Sequence, residues 1–120
     1  MKTIIAGTRD LQFDNEWIIK RLDDIIDEDN PIILSGVSGN VDLFGKKYAE
    51  MRGYEFESFP ANWLQFGNAA GPIRNQEMVN EADRLILIWD GFSKGSKDIL
   101  KKAIRKRLII DELIVDGRNN

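Results

Sequence analysis

The 120-residue sequence contains no cysteine and no histidine. Without cysteine, the chain can form neither a disulfide framework nor a thiolate metal site. Without histidine, it lacks the usual general base for serine and cysteine nucleophiles, and zinc loses its commonest nitrogen ligand. These absences exclude zinc enzymes and hydrolases of the Ser-His and Cys-His types, and we expect no metal site.

An excess of positive charge and long apolar runs are also missing. The 17 lysines and arginines stand against 20 acids, so the formal net charge of −3 gives no overall attraction for nucleic acid or anionic lipid. The first apolar run ends at Gly7, too early for a signal-peptide core, and no window is long enough to span a membrane. We therefore expect a cytoplasmic protein with no membrane partner.

Short apolar runs alternate with amphipathic stretches along the chain. Five segments have the composition of strands: residues 2–7, 31–36, 54–59, 84–90 and the stretch DELIVDG at 111–117. Three segments have helical periodicity: residues 14–28, with Asp14 as N-cap, 41–51 and 99–104. A further helix is expected before the central strand, with Pro72 in its first turn and Met78 and Val79 facing the sheet. This alternation predicts an α/β fold, a single Rossmann-like domain over residues 1–120 with a mostly parallel sheet flanked by helices.

Three of the loops that follow predicted strands combine glycine with hydroxyl residues. They are GTRD (7–10), SGVSGNVD (35–42) and DGFSKGSKD (90–98). Glycine lets the backbone approach a ligand closely, and the free amides of a helix N-terminus favour phosphate. Each loop alone also fits an ordinary turn between strand and helix, but three of them on one sheet edge favour a ligand. Neither a P-loop nor a G-x-G-x-x-G motif is present, which argues against an NTPase or a dehydrogenase.

Arg74 occupies an unfavourable position in the stretch AGPIRNQEM, residues 70–78. Pro72 suits a first helical turn, so we expect Arg74 in that same turn, where the helix dipole repels a cation. A bound anion would remove this repulsion. An exposed Arg74, or one paired with Glu77 or Asp83, is the alternative.

Taken together, these motifs resemble the YpsA-related branch of the SLOG superfamily. GTRD, SGVSGNVD, FPANW (59–63), AGPIRNQEM and GSKD (95–98) occur in the order and at about the spacing of that branch, over residues 2–116. The resemblance implies a Rossmannoid fold that binds a nucleotide or nucleotide-derived ligand, as a sensor or sequestering module in the cytoplasm of a bacterial or phage-infected cell. Related branches include sensors of NAD- or ADP-ribose-related ligands and LOG-type phosphoribohydrolases, which cleave the N-glycosidic bond of nucleoside monophosphates.

The chain departs from the loop P-G-G-x-G-T-x-x-E of the hydrolase branch. In the comparable stretch WDGFSKGSKDI (89–99), Ser96 stands at the Thr position and Ile99 at that of the catalytic Glu. Asp98 is one residue away, and a shift of one position turns a side chain by about 100° around a helix. An N-glycosidase is therefore the alternative function rather than the first one. Its candidate catalytic residues are Arg74, Asp98 and Glu77.

We predict a nucleotide site at the carboxyl edge of the sheet, with no cofactor required. Phosphate is expected against the backbone of Gly36, Ser38 and Gly39 and of Gly95 and Ser96, while Asp42 accepts from ribose hydroxyls. Trp63 and Phe92 lie in loops and suit stacking on a base, whereas Trp89, within a strand, is expected in the core. The predicted ligand-binding residues are Gly7, Thr8, Arg9, Ser35, Gly36, Ser38, Gly39, Asp42, Trp63, Arg74, Asn75, Asp90, Gly91, Phe92, Gly95 and Ser96.

Two expectations concern partners other than the ligand. The basic run KKAIRKR (101–107) falls on the polar face and last turn of a predicted helix, where cations are favoured, so we do not expect nucleic-acid binding. Several aromatic residues lie outside the core pattern, and SLOG proteins often assemble. We therefore expect a homo-oligomer, for which a two-fold dimer is the commonest form.

Overall fold

The computed structural model describes residues 1–115, and the core is a five-stranded sheet. The strands are β1 (Lys2–Gly7), β2 (Ile32–Ser35), β3 (Glu55–Ser58), β4 (Arg84–Trp89) and β5 (Ile109–Ile114). Their order across the sheet is β3-β2-β1-β4-β5, and every neighbouring pair is parallel. The predicted α/β, Rossmann-like fold is confirmed.

Helices cover both faces of the sheet. They are α1 (Asn15–Ile25), α2 (Asn40–Arg52), α3 (Trp63–Phe66), α4 (Ala70–Glu81) and α5 (Lys94–Arg105), with a 3₁₀ turn at Gly67–Ala69. One core cluster joins α1 and α2 to the sheet through side chains such as Leu22 and Tyr48, and a second joins α4 and α5 through Met78 and Ile99. No helix within residues 1–115 is long and apolar enough to cross a membrane.

Local sequence signals explain most of these boundaries. The Asp14 side chain accepts a hydrogen bond from the Glu16 amide at 3.0 Å, which confirms the predicted N-cap of α1. Gly53 adopts a left-handed conformation with φ 70° at the end of α2, which glycine does at little cost. Every residue of β4 is buried, and Trp89 belongs to the core as predicted. α1 ends at Ile25, three residues before the predicted boundary.

The chain differs from the prediction in two further places. The last strand begins at Ile109, two residues before DELIVDG, and Asp116, Gly117 and the three residues after them lie outside the described part of the chain. α3 and the 3₁₀ turn precede α4, so α4 begins at Ala70 and Arg74 is its fifth residue. The expected place of Arg74 in the first turn is therefore wrong, and repulsion by the helix dipole does not explain this residue.

The sheet order reverses between β1 and β4, the place where ligands bind in open α/β sheets. Gly7 ends β1 there, directly against the backbone of β4. A Cβ atom on Gly7 would lie 1.8 Å from the carbonyl oxygen of Ile88, and the next amide, of Thr8, donates to that same oxygen at 3.2 Å. Only glycine permits this approach of the two strands.

Gly7→Ala is expected to lower the free energy of unfolding by about 3 kcal/mol, because the added methyl group forces β1 and β4 apart. Denaturant unfolding followed by circular dichroism measures this loss. Gly95→Ala is the matched control, since a Cβ there meets no atom within 4 Å and Gly95 already lies in a helix. Equal unfolding midpoints for the two variants would contradict this role of Gly7.

Candidate functional site

A cavity of about 440 Å³ opens at the carboxyl edge of the sheet, between the loops that follow β1 and β4. This volume lies in the range of small-molecule sites. The loop after β2 and the helices α3, α4 and α5 complete the wall. Ten residues predicted from the sequence line it: Gly7, Arg9, Ser38, Asp42, Trp63, Arg74, Asn75, Gly95, Ser96 and Asp98.

The remaining predicted residues do not line the cavity: Thr8, Ser35, Gly36, Gly39, Glu77, Asp90, Gly91 and Phe92. Seven residues that line the cavity were not predicted from the sequence: Ala6, Gly71, Pro72, Met78, Ser93, Lys94 and Ile99. Ser93 and Lys94 belong to the loop DGFSKGSKD, and a serine just before a helical pattern is itself an N-cap signal. The other five are small or apolar, and only the packing decides which of them faces a cavity.

Arg74 projects from α4 and is held by backbone oxygen atoms. Its Nη1 donates to the carbonyl oxygens of Gly36 at 3.1 Å and Phe59 at 3.5 Å, and its Nε donates to Asn75 Oδ1 at 3.1 Å. No hydrogen bond from Nη2 is present within residues 1–115. Neither Glu77 nor Asp83 pairs with it, so the guanidinium is fixed in place while one arm is left for another acceptor.

The amide of Asn75 connects Arg74 to α5. Its Oδ1 accepts from Arg74, and its Nδ2 donates to Asp98 Oδ2 at 3.0 Å and weakly to the carbonyl oxygen of Gly95 at 3.5 Å. Lys102 Nζ lies 2.7 and 2.6 Å from the two oxygens of Asp98. Both oxygens of Asp98 are therefore already bonded, which leaves this carboxylate poorly suited to act as a general base.

Gly36 is required by the position of Arg74. A Cβ atom at Gly36 would lie 2.0 Å from Arg74 Nη1 and 3.0 Å from Asp42 Oδ2. The preceding residue, Ser35, is fully buried; its hydroxyl donates to the carbonyl oxygen of Asp42 and accepts from the Val37 amide. These two residues lie beneath the cavity wall and position it.

Asp42 is a nearly buried carboxylate in the cavity wall, 8% exposed. Its Oδ2 accepts from the amide and the hydroxyl of Ser38, at 3.2 and 3.0 Å, and no bond to Oδ1 is present among the described residues. Burial raises the pKa of Asp42, although the Ser38 bonds and the charges of Arg74 and Arg9 act in the opposite direction. Burial likewise lowers the pKa of Arg74, against the effect of the Asp42 charge.

The first turn of α5 faces the cavity with unpaired donors. Within residues 1–115, no acceptor bonds the amides of Lys94, Gly95 and Ser96, and the Ser93 side chain makes no capping bond. The Ser96 hydroxyl is also without a hydrogen-bond partner, in a residue only 4% exposed. Buried hydroxyl groups are nearly always hydrogen-bonded, so the free Ser96 hydroxyl is unusual. The donors of this turn have no acceptor among the described residues, and such a group of donors suits an anion.

The N-terminus of α2, the other predicted phosphate position, is partly bonded by the protein. The Asn40 amide donates to the carbonyl oxygen of Arg9 at 2.8 Å. A Cβ atom on Gly39 would lie 2.7 Å from Arg9 Cα, so the loop after β1 packs directly on this turn. The Ser38 amide is bonded to Asp42. The amides of Val41 and Asp42 have no acceptor within residues 1–115, but Val41 does not line the cavity. Of the two predicted phosphate positions, α5 is the one whose first three residues all line the cavity with free amides.

Thr8 and Asp90 hold the two loops of the switch point together beside the cavity. Asp90 Oδ1 accepts from the amides of Phe92 and Ser93, at 2.8 and 3.0 Å, and from the Thr8 hydroxyl at 3.2 Å. The Thr8 hydroxyl also accepts from the Asp90 amide and contacts Ser93 Oγ. The Phe92 amide bond is the main cause that lowers the pKa of Asp90. Thr8 and Asp90 thus shape the start of α5 and do not themselves line the cavity.

Two cations and one aromatic ring complete the rim. Arg9 and Lys94 line the cavity, and both are exposed. Trp63 lines it from α3 with half of its surface exposed, whereas Phe92 is 77% exposed and lies outside the lining. Of the two predicted stacking residues, Trp63 is the one at the cavity.

No protein-family model and no curated protein matches this chain.

Asp42 and Asp90 are expected to give opposite pH dependence of stability. Because the folded state raises the pKa of Asp42, its burial is least costly when it is protonated, so the advantage of Asp42→Asn over wild type shrinks as the pH falls from about 7 to about 4. Because the folded state lowers the pKa of Asp90, the cost of Asp90→Asn is present at neutral pH and shrinks only below about pH 4.

Thermal melts of both variants and wild type between about pH 3 and about pH 7.5 test these two pH dependences. The difference in melting temperature, variant minus wild type, is expected to fall with decreasing pH for Asp42→Asn and to rise for Asp90→Asn. Parallel curves for the two variants would contradict the assigned environments.

Proposed function

We propose that the cavity binds a phosphorylated nucleoside or another nucleotide-derived ligand, such as a nucleoside monophosphate, ADP-ribose or NAD, and that the protein serves as a sensor or sequestering module. The observation that carries this proposal is the first turn of α5. Three unpaired amides and the unpartnered Ser96 hydroxyl lie at one end of a cavity of nucleotide size.

The charges around the cavity support an anionic ligand. Arg9, Arg74 and Lys94 line it, while one of its two carboxylates, Asp98, is neutralised by Lys102. The other, Asp42, is nearly buried, and burial favours its neutral form. A fixed guanidinium with a free arm binds phosphate strongly and with a defined geometry.

Trp63 supports a ligand that also carries a flat ring. Its indole lies against Gly71 at the cavity rim, where a Cβ on that glycine would be 3.6 Å from the ring. Because Trp63 and the first turn of α5 line the same cavity, one ligand can stack its base on this ring and place its phosphate at α5. The resemblance of AGPIRNQEM and GSKD to the SLOG superfamily points to the same class of ligand.

An N-glycosidase is the second candidate, and Asp42 is the observation that favours it. A buried carboxyl with a raised pKa and one unbonded oxygen is suited to proton transfer at a glycosidic bond. Glycoside hydrolysis generally uses two carboxyl groups, and Asp98 is bonded by Lys102 and Asn75 while Glu77 is exposed outside the cavity. Binding without hydrolysis is therefore our first proposal, and release of free base from a nucleoside monophosphate, abolished by Asp42→Asn, would establish the second.

Location in the cytoplasm and assembly into a homo-oligomer are part of the proposal. Exposed apolar side chains on α3 support assembly: Leu64 is fully exposed, and half of Trp63 is exposed. Nucleic acid is not proposed as a partner.

Ser96→Ala is expected to separate binding from folding. The variant loses a hydroxyl that has no partner in the protein, so the free protein should melt at the same temperature or slightly higher. Its affinity for a nucleotide should fall by about tenfold, the value of one hydrogen bond to a charged group. Thermal shift and calorimetry with a panel of nucleoside monophosphates, NAD and ADP-ribose measure both effects. No shift of wild type at about millimolar ligand would count against the nucleotide site.

Arg74→Ala is expected to weaken binding of the panel ligand by about ten- to a hundredfold, because a charge-assisted bond to phosphate is lost. Arg74→Lys should restore only part of the affinity, since an ammonium cannot reproduce the planar fork. Arg74 also bonds Gly36 and Phe59, so the melting temperature of the free variant is recorded alongside. A variant that melts several degrees lower but binds normally would make Arg74 a purely structural residue.

A further inference from the structure

The charges of the chain are separated between the two faces of the sheet. From Lys94 to Arg107 the sequence has seven lysines and arginines and one acid, Asp98. From Asp10 to Asp29 it has eight acids and two bases. The basic stretch contains α5 and the acidic stretch contains α1, and these helices pack in different core clusters on opposite faces.

The outer face of α5 is basic and unpaired. Lys97, Lys101, Ile104 and Arg105 are exposed along it, and we call these four residues the basic surface. Within residues 1–115 no carboxylate pairs with its three cations, because the single acid of the helix, Asp98, binds Lys102. Lys97, Lys101 and Arg105 are spaced four residues apart, a spacing at which like charges destabilise a helix. The helix dipole favours Arg105 in the last turn, but no carboxylate among the described residues offsets the charges of Lys97 and Lys101.

A complementary surface lies on the opposite side of the molecule. Asp24 in the last turn of α1 is exposed, as are Asp27 and Asp29 after it, and we call these three residues the acidic surface. Lys20 and Arg21, one turn earlier in α1, are also exposed, so the acidic surface is confined to the end of the helix. None of the three aspartates forms an ion pair in the part of the chain that the structure describes. The basic surface also contains one large exposed apolar side chain, Ile104 at 58%, which can add buried apolar area to a contact.

We propose that the basic surface on α5 of one molecule docks on the acidic surface at α1 of a second copy of this chain. A second copy fits better than a nucleic acid, because the rest of the chain is acidic enough to make the net charge −3 and would repel a polyanion. The two surfaces are different, so the contact is head to tail and builds rings or open chains rather than a two-fold dimer. This inference does not depend on the proposed nucleotide site.

The size of the surfaces sets the strength of the contact. A helix of 12 residues is about 18 Å long, so one helix face covers less than a standard protein interface. The association is therefore weak, reversible and sensitive to salt, since exposed charges are screened over about 10 Å at 0.1 M ionic strength. Sedimentation velocity on the full chain at about 100 μM protein, in about 20 mM and about 500 mM sodium chloride, measures it.

Charge reversal on each surface gives a sharp test. The wild type is expected to form species larger than a monomer at low salt and to dissociate at high salt. Lys97→Glu/Lys101→Glu and Asp24→Lys/Asp27→Lys should each weaken self-association about tenfold, and an equimolar mixture of the two variants should restore it. None of these residues lines the cavity. Lys46→Glu/Lys47→Glu, which carries the same change of charge on exposed α2 positions, should associate like the wild type.

Three outcomes would overturn the proposal. They are a monomer at both salt concentrations, an oligomer that neither salt nor charge reversal changes, and variants that the mixture does not restore. Fluorescence anisotropy with a single-stranded oligonucleotide of about 20 nucleotides is run on the same samples. Tight binding by monomeric wild type that is lost in Lys97→Glu/Lys101→Glu would assign the basic surface to nucleic acid instead.

Discussion

The side-chain amide of Asn75 holds the two sides of the cavity in register. Its orientation is fixed by chemistry, because Arg74 Nε can only donate to it and the Asp98 carboxylate can only accept from it. A continuous path of hydrogen bonds therefore runs from the carbonyl oxygen of Gly36 through Arg74, Asn75 and Asp98 to Lys102. Asn75 is only 7% exposed, and in such a network each polar group depends on its neighbours to remain bonded.

This path decides which groups the protein leaves unpaired. It uses Nη1 and Nε of Arg74 and both oxygens of Asp98, but none of the amides in the first turn of α5. At α2, Asp42 and Arg9 of the protein itself accept from the amides of Ser38 and Asn40, so fewer donors are free there. Two helix termini that look alike in composition thus differ in the donors that they leave free. The α2 terminus is partly bonded and packs against the loop after β1, whereas all three amides at the start of α5 are free beside the cavity.

Much of the fold could be predicted from the sequence because its signals are local. The apolar run of β4, the Asp14 cap and the Gly53 terminus each act within a few residues, and the alternation of strands and helices then predicts a parallel sheet. The helical turns before Ala70 were not predicted, although Asn62 caps the first of them, and Arg74 was therefore expected in the first turn of α4 rather than the second.

The candidate site was predicted less completely, because cavities depend on contacts between distant segments. Glycine and hydroxyl residues in the loops identified the edge of the sheet at which the cavity lies, but not which residues support its wall and which face it. Gly36 is a glycine because Arg74, 38 residues away, passes within 2.0 Å of where its Cβ would be, and nothing in the loop itself reveals this.

The most direct measurement on the nucleotide site is a titration of ¹⁵N-labelled protein with a nucleoside monophosphate, followed by amide chemical shifts. The amides of Lys94, Gly95 and Ser96 should move most and in the direction of stronger hydrogen bonding. Stationary signals from these three residues, with the ligand bound and other amides shifted, would place the phosphate elsewhere and contradict the assignment.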